Sequence, residues 1–309
     1  MITAVSLNPC IDRLAELERF NYGALNRVVS GRYDAGGKGL NVALVASRLG
    51  VNAECIGLMY RDNARMFENR LLANGTSYEF VWCEGHCRTN VKLLDRATGL
   101  MTEINEPGQV VSEKLTKKLI DLVLVHAESS DYIVLSGSLP PGCPADLYRT
   151  IISEVDGPGC RCVLDADGER LVEGLKAKPF MIKPNRFELE TMLNKRLDTI
   201  NKVRDAALSL VEEGVSVVAV SLGEQGALIT DGNESFYAPR LEVEVKSTVG
   251  AGDSMVAGLT AGFLGEHPLE EVFRMGVACA TAMCMTEGSK PFDKADYKRA
   301  LQLVELKRV

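Results

Sequence analysis

Apolar positions fall into two kinds of run along the chain, and the two kinds alternate. Short continuous stretches rich in Val, Ile and Leu recur at 2–7 (ITAVSL), 53–58 (AECIGL), 132–137 (YIVLSG), 161–167 (RCVLDAD), 179–184 (PFMIKP) and 215–223 (VSVVAVSLG). Apolar runs of that length with no polar alternation predict strands buried on both faces. Between them lie segments of helical spacing, such as 39–50, ended by Gly50, and 62–75, closed by Asn74-Gly75. Strand–helix alternation of this kind predicts an α/β/α sandwich, three layers around a mostly parallel central sheet.

Two segments break the rhythm. Residues 10–36 are charged and glycine-containing, with no good helical pattern. Residues 78–104 read as three strands, with turns at Glu84-Gly85 and between Asp95 and Gly99. Together they predict a small separate β-sheet, a lid built from about 10–36 and 78–107 on a single domain spanning 1–309. An inserted sheet beside a site is the sort of element that closes over a ligand. After Gly252 the pattern turns helical, through 252–264, 268–286 and 293–306.

Composition narrows the class. Of 309 residues, 46% are hydrophobic and 25% charged, and the formal net charge is −7. An acidic chain offers no general attraction to nucleic acid or to an anionic membrane, so any anionic ligand needs a local cluster of donors. No run of about 18 apolar residues predicts a membrane span. The start, MITAVSLNPC, lacks a basic leader region and reads as a strand, so a cytoplasmic protein is expected. Its 9 cysteines fit reduced thiols. Cys83-Glu84-Gly85-His86-Cys87 comes nearest to a metal motif, but no second Cys or His pair follows to complete a zinc site.

Two glycine-rich stretches carry candidate chemistry. In Val249-Gly250-Ala251-Gly252-Asp253, bare backbone precedes an acid at the start of a helical run. Successive N–H groups at a helix N-terminus form an anion site, and the helix dipole adds a favourable field. An acid beside that anion makes sense if it removes a proton from a hydroxyl; a close-packed helix start with Asp253 as a simple N-terminal charge fits the stretch equally well. Ala35-Gly36-Gly37-Lys38-Gly39-Leu40-Asn41 also opens a helix. It fails the spacing of a P-loop and of a dinucleotide fingerprint, which excludes both. Lys38 and Asn41 either project to one polar site or simply begin a helix with a solvated lysine.

The two stretches together resemble the N- and C-terminal signatures of the PfkB (ribokinase-like) carbohydrate kinases, with Arg48-Leu49-Gly50 following the first and Thr248 to Gly258 forming the second. Leu7-Asn8-Pro9 with Asp12, Ser136 to Gly142, Lys183-Pro184-Asn185 with Glu188, and Ser221-Leu222-Gly223 with Gly226 match as well, so the resemblance spans essentially the whole chain. It implies ATP-dependent phosphoryl transfer to a sugar hydroxyl. Asp253 would be the general base, and the amides of Gly250, Ala251 and Gly252 the anion hole. Asn185 and Glu188 would hold Mg²⁺ through water. Lys183, Ser221, Gly223, Gly226 and Thr248 would line the nucleotide side, while Asp12, Gly37, Lys38, Asn41 and Ser136 would grip the sugar.

Ser247-Thr248 before the glycines, and Arg88-Thr89-Asn90-Val91-Lys92-Leu93 in the lid, resemble the family's phosphofructokinase branch. There Arg88 would bind a phosphate already on the sugar, with Lys38 and Arg27 adding positive charge. The implied acceptor is a ketohexose monophosphate, either fructose 1-phosphate, giving fructose 1,6-bisphosphate, or tagatose 6-phosphate; a sugar-phosphate sensor without turnover is the alternative of another class. Relatives in this family often pair through the lid, so a homodimer is expected. Cys10 replaces the usual Ala, and Asp167 the usual Ser of a DSSGE-like run.

Overall fold

The computed structural model describes residues 1–155, 159–288 and 290–309. Its first third holds β1 (Ile2–Ser6), β2 (Cys10–Leu17), β3 (Ser30–Gly36), α1 (Lys38–Leu49), β4 (Ala53–Tyr60), α2 (Ala64–Ala73), β5 (Ser77–Cys83), β6 (Arg88–Asp95) and β7 (Met101–Asn105). The middle contains α3 (Glu113–Ala127), β8 (Tyr132–Ser136), α4 (Leu147–Val155), β9 (Arg161–Asp165), α5 (Gly168–Leu175), β10 (Met181–Ile182), α6 (Arg186–Leu193), α7 (Ile200–Glu212) and β11 (Val217–Ser221). Then come β12 (Ala227–Thr230), β13 (Ser235–Ala238), α8 (Ala251–Leu264), α9 (Leu269–Cys284), α10 (Lys294–Leu303) and β14 (Lys307–Arg308).

Among the described residues, ten strands form one sheet in the order β14-β13-β12-β11-β10-β9-β8-β1-β4-β5. From β5 to β11 every pairing is parallel; β12, β13 and β14 extend that edge antiparallel. β1, β4 and β8 are buried at every position, as the unbroken apolar runs predict, which requires helices on both faces. One helical group is α3, α4, α5 and α6; the other is α1, α8, α9 and α10. The antiparallel extension has a readable signal, the Asp231-Gly232-Asn233 turn between two β-like runs, which the strand count above leaves out.

The lid is a four-stranded sheet, β3-β2-β6-β7. One expectation needs correction: the first strand of 78–104 does not join it. β5 pairs parallel with β4 along the edge of the large sheet. The cause is the helical run 62–75, which becomes α2 and returns the chain beside β4 as a strand–helix–strand unit. Phe80 and Cys83 are buried there, and Tyr78 stacks on Phe80 at 5.3 Å between ring centroids. The lid therefore takes β2 and β3 from the first segment and β6 and β7 from the second.

A polar network sits within this framework. Thr3 Oγ1 donates to Glu54 Oε1 at 2.6 Å, His126 Nδ1 lies 2.7 Å from the same oxygen, and His126 Nε2 lies 3.1 Å from Glu79 Oε2. An imidazole with a carboxylate at each nitrogen needs both protons to satisfy them. Burial lowers the imidazole pKa, but the hydrogen bonds and charges of Glu54 and Glu79 outweigh it and hold it above its ordinary value. A raised folded-state pKa stabilises fully below the unfolded value of about 6.5, and that contribution is lost as pH rises through the folded value. His126→Gln is therefore expected to lower Tm most at about pH 6 and progressively less towards about pH 9. Thermal melts across that range check it; a deficit that does not shrink refutes the charged clamp.

Candidate active site

The two glycine-rich stretches open α1 and α8. Gly37 (φ 128°) and Gly250 (φ 77°), immediately before these helices, take backbone conformations that side chains resist. α1 starts hard against the end of β1, where a Cβ on Gly39 would collide with the Val5 carbonyl. α8 packs on α9 nearly backbone to backbone: a Cβ on Gly258 would stand 2.9 Å from Gly276 Cα. That contact explains the small-residue run after Asp253; α8 also packs against α1, which brings the two helix starts together. Asn41 Nδ2 donates to Asp253 Oδ2 at 2.8 Å, joining positions 212 residues apart.

Charges of both signs surround this junction. Asp165, at the end of β9, is 1% exposed and lies between two ammonium groups. Lys38 Nζ is 3.2 Å from its Oδ2, and Lys183 Nζ is 3.3 Å from its Oδ1. Lys183 also stands over the glycine turn: a Cβ on Gly252 would be 3.4 Å from its Nζ. Burial pushes the Asp253 carboxyl pKa up; Lys38 and the Asn41 hydrogen bond oppose that and Asp165 adds to it, leaving a net rise. Burial also pushes Asp165 up, but Lys183 and Lys38 outweigh it and hold its carboxyl below the usual range. For Lys38, burial pulls down while Asp165 and Asp253 push up, and the net is upward.

The 247–252 turn separates two clefts. The first, of ≈ 490 Å³, is lined by Asn185, Ser221, Gly223, Gly226, Thr248 and Gly252, with Ala251 beside them. It is mostly apolar on the side of Leu241, Val277 and Ala280. The second, of ≈ 400 Å³, runs from Ser247 and Val249 to Asp12 and Lys92 of the lid. Asn185, Ser221 and Gly223, like Asp165, stand at or just beyond the carboxyl ends of parallel strands, where open α/β sheets place their sites. The order also reverses here: from β1 the chain goes to β4 on one side and later to β8 on the other.

Asn185 and Glu188 form a reciprocal cap on α6. Asn185 Oδ1 accepts from the Glu188 amide, and Glu188 Oε2 accepts from the Asn185 amide, each at 2.8 Å. The carboxylate keeps its other oxygen for further partners. Among the described residues no group of three or more His, Cys, Asp or Glu can hold a metal ion. That includes the stretch around Cys83 and Cys87: both thiols are buried, while His86 is exposed with its Nε2 3.4 Å from Gln109 Nε2. Neither Cys83 nor Cys87 is in a disulfide, and burial pushes Cys87 up to about 12.

In the lid, Arg88, Asn90 and Lys92 share one face of β6, by the alternation of a strand. The Arg88 guanidinium is fixed by backbone carbonyls: Nε and Nη2 donate to Asn8 O at 3.3 and 3.2 Å, and Nη1 to Glu106 O at 2.9 Å. It opens with Ser138 and Arg170 onto a third cavity of ≈ 370 Å³. Lys92 Nζ lies 3.3 Å from Asp12 Oδ1, and both residues are 9% exposed. Asn8 Oδ1, Asn41 Oδ1, Asn90 Oδ1 and Ser136 Oγ are buried without a hydrogen-bond partner. Unpaired buried polar atoms are costly, and several together mark a place built to receive polar groups.

Every candidate from the two signatures and the middle matches thus falls on one continuous region. Arg27 does not: it is exposed in the β2–β3 connection and lines none of these cavities. Four residues of the region are absent from the sequence-based set. Asn90 and Lys92 follow from Arg88 by the two-residue repeat of a strand. Ser138 lies in the quoted Ser136–Gly142 stretch. Asp165 ends an apolar run, and only the fold brings two lysines to it.

Residues 5–295 match the family described as pfkB family carbohydrate kinase. The chain is similar to a protein named 1-phosphofructokinase from Rhodobacter capsulatus, 36% identical over 278 residues, which cover 90% of this chain and 88% of that protein. The 1-phosphofructokinase of Bacillus subtilis (strain 168) is 34% identical, with 93% of each chain covered. Phosphofructokinase-2 from Escherichia coli, solved in complex with substrates and products, superposes with a TM-score of 0.91 at 30% identity over 98% of each chain. The chain belongs to the pfkB family of carbohydrate kinases and is a phosphotransferase acting on a hydroxyl group.

Proposed function

We propose that the chain transfers the γ-phosphoryl group of ATP to a ketohexose monophosphate, converting fructose 1-phosphate to fructose 1,6-bisphosphate. The observation that carries this reading is Asp253: a buried carboxylate, oriented by Asn41, at the tip of a helix whose first turn is bare backbone. The acceptor hydroxyl gives its proton to Asp253, and its oxygen bonds to the γ-phosphorus. The bond from that phosphorus to the bridging oxygen breaks, and ADP leaves with the electron pair. The amides of Gly250, Ala251 and Gly252 take the charge that develops on the equatorial oxygens.

The apolar cleft with Ser221, Gly223, Gly226 and Thr248 suits a nucleotide, and Lys183, beside Gly252 of its wall, suits the phosphates. The cleft reaching Asp12, together with Gly37, Lys38, Asn41 and the unpartnered Ser136, suits the sugar. Arg88 and Ser138 give that side a phosphate grip, which supports a phosphosugar over a free sugar. The oxygen donors of Asn185 and Glu188 fit Mg²⁺ held through water and phosphate oxygens, since this ion keeps most of its waters and needs no protein cage. When bound there, it would neutralise phosphate charge.

The two named relatives support fructose 1-phosphate as the acceptor; tagatose 6-phosphate presents the same groups from the other end of a quasi-symmetric molecule. A panel of fructose 1-phosphate, tagatose 6-phosphate and fructose 6-phosphate, compared by kcat/KM in an ADP-release assay, is expected to rank the first highest. A higher value for tagatose 6-phosphate overturns the acceptor, and no ADP release with any of them overturns the kinase reading in favour of a sensor. The exposed Tyr33, Met101 and Ile104 of the lid support pairing of two copies there. Light scattering on the same preparation reads it: a monomer refutes the pairing.

A further inference from the structure

We propose that Asp165 is a positioning residue for phosphoryl transfer: it holds Lys38 and Lys183 on two sides of the glycine turn, so that both ammonium groups face the migrating phosphoryl group. The inference rests on the kinase reading above and adds a part to it.

Three observations carry it. First, the carboxylate is divided between the lysines: Oδ2 accepts a hydrogen bond from Lys38 at 3.2 Å, and Oδ1 faces the Lys183 ammonium at 3.3 Å as an ion pair without a hydrogen bond. Second, the lysines come from opposite sides of the site. Lys38 begins α1 next to the sugar-side glycines, with its side chain over Gly137, whereas Lys183 follows β10 and stands over Gly252. Third, Asp165 is 1% exposed and Lys183 5%, so neither group is held there by solvation. Buried charges of this kind persist only when paired.

The arrangement has a catalytic consequence. A lysine is a strongly hydrated point charge on a flexible stem, and nothing in the stem itself aims it. Two such ammonium groups near one another repel and swing apart unless an anion lies between them. Asp165 supplies that anion before the nucleotide arrives, so the donors are already in place as charge develops on the phosphoryl oxygens. A carboxylate touching the phosphates would repel them; one screened by two lysines does not. Asp165 therefore acts through the lysines and contacts neither reactant.

The test is Asp165→Asn in the full-length chain. Asn keeps the shape and removes the charge. The expected result is a kcat about tenfold or more below wild type, with the KM values for ATP and the phosphosugar changed less than kcat. The double variant Asp165→Asn/Lys38→Met is expected to lose less than the product of the two single losses, because the part of Asp165 that acts through Lys38 is already gone while the part that acts through Lys183 remains. An unchanged kcat in folded Asp165→Asn, or losses that multiply in the double variant, overturns the proposal. If Asp165→Asn does not fold, Lys38→Met decides: it leaves the Asp165–Lys183 pair intact, and an unchanged kcat there overturns the proposal equally. Failure of the kinase reading is distinct, because wild type itself then releases no ADP with any of the three phosphosugars.

Discussion

Asp253→Asn is expected to lower kcat by about 10²–10⁴-fold while leaving the fold and both KM values near wild type. The substitution is almost isosteric. Its amide oxygen still accepts from Asn41 Nδ2, the contact that joins the two helix starts. What disappears is the ability to take a proton from the acceptor hydroxyl. The pH profile gives an independent check. Burial, with Asp165 adding to it, raises the Asp253 pKa, and the base works only when ionised. Wild-type kcat/KM should therefore fall as pH drops through a value above the ordinary 3.8, and this acid limb should vanish in Asp253→Asn. Near-wild-type turnover in a folded variant sinks the assignment of the base.

Asp253 also shows why the surroundings matter as much as the acid. A buried carboxylate facing phosphates is disfavoured twice, by burial and by like charge. Lys38 and the Asn41 hydrogen bond work the other way, and Asp165 keeps Lys38 near enough to do so. A base whose pKa is raised but not lost is what proton abstraction near neutral pH requires. The balance is set by residues from α1, β9, β10 and α8, which meet only because the strand order reverses beside β1.

Much of this was legible in the chain, for a physical reason that differs by element. Parallel strands buried on both faces write themselves as unbroken apolar runs, so β1, β4, β8, β9 and β11 can be read directly. β10 keeps only Met181–Ile182 of the expected 179–184 in the ladder. The apolar run gives way to Lys183, Pro184 lacks an N–H, and the chain turns there into the α6 cap. The sequence alone places β5 with the lid because its alternating pattern, with one face exposed, belongs to any edge strand; only its position after α2 tells the two sheets apart. In the site, the backbone motifs are legible because two glycine-rich helix starts occur as a pair; either one alone fits close packing equally well. Asp165 was not, since a lone acid at a strand end looks the same whether it meets solvent or two lysines. Asn185 and Glu188 were legible for two reasons at once: the same pair builds the helix cap and offers oxygen donors.

Arg88→Ala is expected to raise the KM for the phosphosugar by about 10²-fold, with the KM for ATP changed far less. Two charge-assisted hydrogen bonds to phosphate, each contributing roughly 1.5 kcal/mol, amount to about 3 kcal/mol, which is about 10² in affinity. Three of the five guanidinium N–H groups already have backbone acceptors, on Asn8 and Glu106. These hold the side chain at the wall of the cavity shared with Ser138 and leave two donors for a ligand. The same bonds supply the competing account, in which Arg88 merely ties the start of β6 to the loop before β2. That account predicts a lower Tm and similar losses for both substrates. Steady-state kinetics with each substrate varied, together with a melt of the variant, separate the two. An unphosphorylated ketohexose adds a further control: if Arg88 grips phosphate, turnover of fructose should be equally poor in wild type and variant, whereas a structural staple would make the variant worse on both.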